Sequence, residues 1–420
     1  MVQAQVLPQT LTEKDFLNFS NEQTKLGQLL FYDKILSGNS NISCATCHHP
    51  DHGTGDGLSL GIGEGGVGLG PKRIIGDDVI KKRIPRNSSA LWNLGAKKIN
   101  VLFHDGRISQ KNTYGNKFDS PAEEWLPLGF NSILAAQAVF PLVSQFEMAG
   151  NPGENDVAGA AHDRIDAPWP IIAKRVRSIT QYGDRFINAF EHINTASEVS
   201  IVDIANALAA FMTMEWKSID SNFDDYLSGN LDVLSETEIA GMNLFYGKAG
   251  CSVCHSGKLL TDQKFHALGL PSFGPGRTRI FDPIPRDVGH MAETDKIIDA
   301  YSFRTPMLRN VVLTAPYGHN GAYSTLEGII KHHVDPNGAK NKWSNSDLLL
   351  PKIPHLKLTD FIIQEDIREM KRQSNSISII PVKVSELEIK QLIAFMGALT
   401  GKSLERLGVP LSVPSGLSVD

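Results

Sequence analysis

Cysteine usage constrains this chain more than any other feature. Its only four cysteines fall in two pentads, Cys44-Ala45-Thr46-Cys47-His48 and Cys251-Ser252-Val253-Cys254-His255. In C-x-x-C-H the two thiols add to porphyrin vinyl groups and the next residue turns its imidazole onto the iron, so each pentad reads as covalent c-type haem attachment. Two pentads that use every thiol predict two covalent haem c groups, with Cys44, Cys47, Cys251 and Cys254 as attachment points and His48 and His255 as proximal iron ligands. Rival readings fit less well. Ribbon-type zinc knuckles lie roughly 15–20 residues apart, whereas these pairs are separated by nearly half the chain. A thioredoxin-type pair needs a strand before it and a helix after it, and Gly-rich sequence follows Cys47.

A length of 420 residues suits two domains better than one core. The formal net charge of −5 comes with no basic stripe, which argues against nucleic acid and is compatible with a small basic redox partner. No run approaches the roughly 18 apolar residues needed to span a bilayer. The start, Met1-Val2-Gln3-Ala4, has no signal peptide. Covalent haem attachment is an export-side process, so a periplasmic chain whose leader has been removed is expected.

Residues 1–19 read as an extended arm. Ser20 to Gln23 has capping-box spacing and opens a helix through Gly27-Gln28-Leu29-Leu30-Phe31-Tyr32-Asp33-Lys34 into the first pentad. Ser235 to Glu238 opens another, through Gly241-Met242-Asn243-Leu244-Phe245-Tyr246-Gly247-Lys248, into the second. Both obey G-x-x-L-F-Y-x-K, so two related cytochrome-like modules are expected, mainly α-helical with long irregular loops. Nine glycines between Gly53 and Gly70 form a loop suited either to close approach of a planar cofactor or to flexible surface. The Gly-, Ala- and Asp-rich stretch 150–166 reads as an interdomain linker, placing the N-terminal domain at 20–166 and the C-terminal domain at 167–407. Residues 270–298 form a Pro/Gly-rich excursion, and 408–420 an extended surface tail.

A haem with two strong axial ligands transfers electrons, whereas one with an open position can bind peroxide. Ser324-Thr325-Leu326-Glu327 caps a helix whose apolar stripe, Leu326, Ile329 and Ile330, continues to His333, while His332 falls about one hundred degrees off that face. His333 is therefore the candidate second ligand of the His255 haem. Met212 lies on a core stripe with Ile204, Ala205, Leu208 and Phe211 and is not read as a ligand. Gln137 and Glu147 sit in a mostly apolar segment, Ile133 to Met148, where burial would raise the carboxyl pKa and suit proton transfer between the oxygens of a peroxide.

The chain resembles the bacterial di-haem cytochrome c peroxidase/MauG family from about Ser20 to Gly401. The resemblance rests on both pentads, on Phe103-His104-Asp105-Gly106-Arg107, on Gln137 through Pro141 to Glu147-Met148, and on Phe303 to Asn310 followed by Ala315-Pro316-Tyr317-Gly318-His319-Asn320-Gly321. It implies two cytochrome c-like domains with a calcium ion between them, held by Asn87, Thr314 and Pro316, the last two through backbone carbonyls. It also implies a peroxide-reactive N-terminal haem flanked by Gln137 and Glu147, and a second C-terminal ligand at His333, where the peroxidases have Met and MauG has Tyr. A homodimer is one assembly state the family adopts.

Three departures stand out. Loop 74–85 lacks the histidine that blocks the resting N-terminal iron of peroxidases requiring reductive activation; His49 and His52 follow the pentad too closely to replace it. His104 stands where the family usually has an inter-haem tryptophan, with Trp92 as a substitute or simply a buried structural residue. His333 is the third. The resulting expectation is MauG-like oxidation of a Trp or Tyr side chain on a partner protein using hydrogen peroxide. The alternatives are a conventional peroxidase fed by a small cytochrome c or cupredoxin, and a non-enzymatic di-haem electron carrier.

Overall fold

Two serines start the helices that lead into the pentads. In the computed structural model, which describes residues 7–77, 80–277, 282 and 284–420, Ser20 Oγ accepts from Gln23 N at 3.1 Å and Ser235 Oγ from Glu238 N at 3.3 Å. The Gln23 and Glu238 side chains accept from the serine N–H groups in return. The first half of the chain carries α1 (Asn21–Tyr32), α2 (Cys44–Cys47), α3 (Ile133–Ala138), α4 (Asp156–Asp163), α5 (Pro168–Arg177), α6 (Thr180–Ala189) and α7 (Ile201–Glu215). The second carries α8 (Asn222–Leu227), α9 (Glu236–Tyr246), α10 (Met291–Thr294), α11 (Leu326–Val334), α12 (Pro336–Lys342), α13 (Ile367–Asn375) and α14 (Glu386–Ala398). Among the described residues, extended pairing is limited to three two-residue antiparallel ladders. The fold is mainly α with long irregular loops.

The sequence repeat is a repeat in space. A Cβ on Gly27 would lie 1.9 Å from the Ala207 carbonyl oxygen of α7, and one on Gly241 would lie 1.9 Å from the Gln391 carbonyl oxygen of α14. Each glycine thus lets two helix backbones cross in close contact. One turn on, Phe31 meets Phe211 and Phe245 meets Phe395, both at 5.3 Å between ring centroids. Tyr32 and Tyr246 meet the same two phenylalanines, both at 6.2 Å. Each module therefore closes by pairing the helix that leads into its pentad with its last helix.

That pairing moves the expected domain boundary. Trp169, Ile172, Tyr182, Phe186 and the whole inner face of α7 belong to the same buried core as Leu26, Leu30 and Phe31. Apart from Leu60, the second core begins at Phe223. A cut at 166/167 would split the first core, so the junction lies in the chain between α7 and α8. The 150–166 segment is not a free linker either, since it contains α4, which buries Val157 and Ala158.

The tail is also packed rather than loose. Glu215 accepts from the backbone N–H groups of Arg406, Leu407 and Gly408 at 3.0, 2.8 and 3.0 Å. Val413 joins the first core, Ser415 Oγ donates to Asp33 at 2.7 Å, and Asp420 pairs with Lys34 at 2.7 Å while accepting from Thr46 of the first pentad. The arm likewise buries Leu11 and Phe16; its first six residues, and parts of the 74–85 and 270–298 segments, lie outside the described residues. The Gly-rich loop is largely buried against protein, not surface. A Cβ on Gly63 would meet the Phe146 carbonyl, and one on Gly53 the Leu313 carbonyl. No helix among the described residues is long and apolar enough to cross a membrane.

Candidate haem sites and their surroundings

The two CxxC pairs sit in different cores, Cys44 and Cys47 against the first and Cys251 against the second. They therefore cannot share one zinc ion. None of the four is in a disulfide. Burial pushes the Cys44, Cys47 and Cys251 thiols up to about 12 and raises Cys254 as well, which disfavours the thiolate that metal binding or redox exchange needs.

All three proposed iron-binding histidines share one device. His48 Nδ1 lies 3.0 Å from the Thr54 carbonyl, His255 Nδ1 3.2 Å from that of Leu260, and His333 Nδ1 2.8 Å from that of Ile329. A carbonyl can only accept, so Nδ1 carries the proton and the Nε2 lone pair is left for a metal. Burial lowers the pKa of all three, that of His255 to about 4, which keeps the rings neutral.

His255 and His333 face each other with ring centroids 6.4 Å apart. A metal–imidazole bond is about 2 Å and the ring centre lies roughly 1.2 Å beyond its nitrogen, so two imidazoles on opposite sides of one ion would be about 6.4 Å apart. The two rings line a cavity of about 700 Å³ together with Cys251 and Cys254, within the roughly 300–1,000 Å³ of cofactor pockets. Arg304 also lines it. Burial lowers that guanidinium to about 10, its contacts are the Phe103 and Thr305 carbonyls, and no carboxylate pairs with it among the described residues. A porphyrin with acidic propionates fits this donor set.

Rival histidines are occupied. His332 is fully buried with both nitrogens bonded, Nδ1 to the Tyr323 hydroxyl at 2.9 Å and Nε2 to the Leu268 carbonyl at 2.8 Å. His266 pairs with Asp262 at 2.9 Å; these two lie close to Cys254, but a thioether sulfur there would be a poor ligand. His290 bonds the Asp105 carbonyl at 2.6 Å and stacks on Phe265.

In the first module α3 carries Gln137 and a π-turn, Gln145–Ala149, carries Glu147. Both side chains are partly buried. Burial raises the Glu147 carboxyl against the pull of Arg107 and Arg277, and its charge is felt at the Cys47 thiol. His49 and His52 remain in their own loop: His49 Nδ1 accepts from Asp51 N at 3.2 Å, and the His52 ring occupies the space a Cβ on Gly70 would need.

His104 Nε2 lies 3.1 Å from the Asn87 carbonyl and 3.0 Å from Ser89 Oγ. Burial, with Arg86 nearby, lowers its pKa to about 4. Asn87, Thr314, Pro316 and Trp92 line the same cavity as His104. Asn87 donates from Nδ2 to the Leu58 carbonyl at 2.7 Å, which turns Oδ1 away from that bond. The Trp92 indole donates to the Gly53 carbonyl at 3.0 Å and is buried, in keeping with a structural role.

Sequence reading did not assign the charge cluster beneath this interface. Asp105 is fully buried and pairs with Arg86 at 2.7 Å, Arg107 at 3.2 Å and Arg277. Burial alone would raise its carboxyl, but the three guanidiniums hold it well below the usual carboxylate range. Arg86 also grips Asp287 with two bonds of 2.7 Å. The D-G-R triplet at 105–107 was the signal, but the partners come from residues 86 and 277, which only folding brings together.

The chain matches the family model described as di-haem cytochrome c peroxidase over residues 21–232, more than half its length. It belongs to that family. Among curated relatives, cytochrome-c peroxidase IdrP1 of Pseudomonas sp. (strain SCT) is 28% identical over 355 residues, covering 79% of this chain and 76% of that protein. Methylamine utilization protein MauG of Methylorubrum extorquens is 26% identical over 379 residues, covering 90% and 78%. Among solved structures, a MauG-like protein associated with microbial copper homeostasis superposes with a TM-score of 0.62 at 27% identity over 95% of both chains. Family membership makes the protein a haem-dependent oxidoreductase with two c-type haems, hydrogen peroxide as oxidant and a protein redox partner.

Proposed function

We propose that this protein reduces hydrogen peroxide at the His48 haem, with electrons that a small cytochrome c or cupredoxin delivers through the haem held by His255 and His333. The observation that carries the asymmetry is the facing pair of imidazoles in the second module, each with Nδ1 bonded to a backbone carbonyl. When bound, the haems supply reversible one-electron chemistry and, where a coordination position is open, a site for peroxide. Glu147, whose carboxyl burial raises, takes the proton from one peroxide oxygen as carboxylate and returns it to the other as acid. Gln137 orients the bound oxygen pair by hydrogen bonding. Arg107, 3.5 Å above the Phe103 ring and beside Glu147, stabilises the carboxylate once its proton has left.

A second reading has its own support: the partner is itself the substrate, losing electrons from a Trp or Tyr side chain. His333 in place of methionine favours it, because bis-imidazole ligation lowers a haem's potential and makes its oxidised form easier to reach. Loop 74–85, with no histidine, favours it too, since an N-terminal haem open as isolated needs no prior reduction.

One experiment addresses both readings. Diferric protein is mixed with one equivalent of peroxide and no reductant. An immediate change in the haem spectrum is expected; a change that appears only after half-reduction would sink the open-site reading. Mass analysis of a co-exported partner for added oxygen or cross-links then separates the second reading from the first.

Three accompanying features belong to the same proposal. A calcium ion is held by Asn87 Oδ1 and the Thr314 and Pro316 carbonyls at the module interface, and a calcium titration of chelated protein should restore its thermal midpoint. His104 couples the modules through Asn87 and Ser89 rather than by being oxidised, because neutral imidazole is harder to oxidise than indole. The mature protein works in the periplasm as a homodimer, checked by fractionation and light scattering.

A further inference from the structure

Beside the proposed ligand His333, α11 carries a second histidine with a different set of bonds. His332 is fully buried and Tyr323 nearly so. The Leu268 carbonyl, 2.8 Å from His332 Nε2, can only accept, so Nε2 bears the proton and Nδ1 has a lone pair. The Tyr323 hydroxyl, 2.9 Å away, donates to that lone pair. Gly328, in the first turn of α11, leaves room for the phenol, since a Cβ there would stand 2.9 Å from Tyr323 Cδ1. The result is a desolvated phenol already bonded to a neutral base, one residue along the helix from a haem ligand.

A phenol so placed can lose an electron without creating a buried unpaired charge. Oxidation makes the hydroxyl far more acidic than an imidazolium, so the proton crosses one existing hydrogen bond as the electron leaves. Three other tyrosines of this module lack that arrangement. Tyr317 donates to the Val311 carbonyl, which cannot take a proton. Tyr301 donates to Glu369 at 2.6 Å, but that carboxylate is already paired with Arg286 and Arg372. The Tyr246 hydroxyl has no hydrogen-bond partner among the described residues.

We propose that Tyr323 is a redox-active residue that gives one electron toward the C-terminal haem during peroxide turnover while its phenolic proton moves to Nδ1 of His332. The inference rests on the reading of His333 as that haem's ligand. Reduction of hydrogen peroxide to two waters consumes two electrons and two protons. Tyr323 supplies one electron and becomes a neutral tyrosyl radical, its own proton staying on His332; the irons supply the other electron and solvent the two protons. An electron from the partner then reduces the radical, and the proton returns from His332 to the phenol oxygen. The pair would hold one oxidising equivalent inside the protein until a donor docks.

The test uses haem-loaded diferric protein, frozen at set times after one equivalent of peroxide and read by electron paramagnetic resonance, with optical spectra taken on the same samples. Protein grown with ring-deuterated tyrosine identifies the radical by loss of its hyperfine splitting. The expected result is a tyrosine radical that disappears in Tyr323→Phe, persists in Tyr301→Phe and Tyr317→Phe, and is lost in His332→Gln although Tyr323 remains. In heavy water its formation should slow, which a merely structural hydrogen bond would not cause. A changed haem spectrum without a tyrosine radical, or a radical retained in Tyr323→Phe, overturns this proposal alone. A haem spectrum that peroxide leaves unchanged overturns the peroxide reading and this one with it. If Tyr323→Phe fails to fold, a tyrosine radical that persists in Tyr301→Phe and Tyr317→Phe but is lost in His332→Gln supports Tyr323, and one retained in His332→Gln overturns the proposal.

Discussion

His333 stands across a cavity from His255 with their ring centroids 6.4 Å apart, and each ring commits its Nδ1 proton to a backbone carbonyl of its own segment. With Nδ1 committed in each ring, Nε2 is the atom that would hold an iron between them.

If that space holds the second haem, His333→Ala converts its low-spin ferric signal to high-spin. His332→Ala leaves the spin state unchanged but costs roughly 2–4 kcal/mol of stability, because it opens a small cavity and leaves the Tyr323 hydroxyl and Leu268 carbonyl unpaired. Low-temperature spectra and thermal melts of the two variants separate ligand from core.

Gly27→Ala and Gly241→Ala should each destabilise the protein by roughly 2 kcal/mol or more. Helix propensity alone favours alanine by about 1 kcal/mol. Against it, the added Cβ would lie 1.9 Å from a carbonyl oxygen, and backbone cannot rotate aside as a side chain can. Similar losses in thermal or denaturant unfolding at both sites would mark the two modules as equivalents.

Glu147→Gln should slow the reaction with peroxide by about 10²–10⁴-fold, the range of a lost general acid–base group, while leaving the ferric spectra of both haems unchanged. Stopped-flow mixing with peroxide measures this. An unchanged rate would mean that Glu147 serves only packing.

Asp56 gives a pH dependence with a definite sign. Burial raises its carboxyl from 3.8 to about 7, against the Leu58 N–H bond and Arg73. Between those values the folded state holds a proton that the unfolded chain has lost, so stability falls as pH rises from about 4 through 7. Asp56→Asn keeps the acceptor for Leu58 N and removes the slope. It should therefore gain on wild type, by up to about 4 kcal/mol, as denaturant unfolding is moved from pH 4 to pH 8.

Much of this was legible in sequence because it is local. The pentads, the capping boxes at Ser20 and Ser235 and the helical face that selects His333 over His332 all lie within a few turns of chain. The domain boundary was misread for the opposite reason. Composition made 150–166 look like a linker, whereas what closes the first module is a crossing between Gly27 and Ala207, far apart in sequence. A second repeat pointed to it: Leu208-Ala209-Ala210-Phe211-Met212 in α7 and Leu392-Ile393-Ala394-Phe395-Met396 in α14 both read L-x-A-F-M. The anchoring of the surface tail was not legible either, since Glu215 and Asp33 are ordinary acids until folding brings Arg406–Gly408 and Ser415 to them. The buried grouping of Asp105 with Arg86 and Arg277 likewise has no local spacing to announce it.

The central claim is that two near-identical pentads anchor haems of unlike coordination, one open and one closed. Low-temperature electron paramagnetic resonance of the fully oxidised, haem-loaded protein as isolated tests it directly. One high-spin and one low-spin ferric signal in equal amounts is the predicted result; two low-spin signals would contradict it and make the protein an electron carrier at rest.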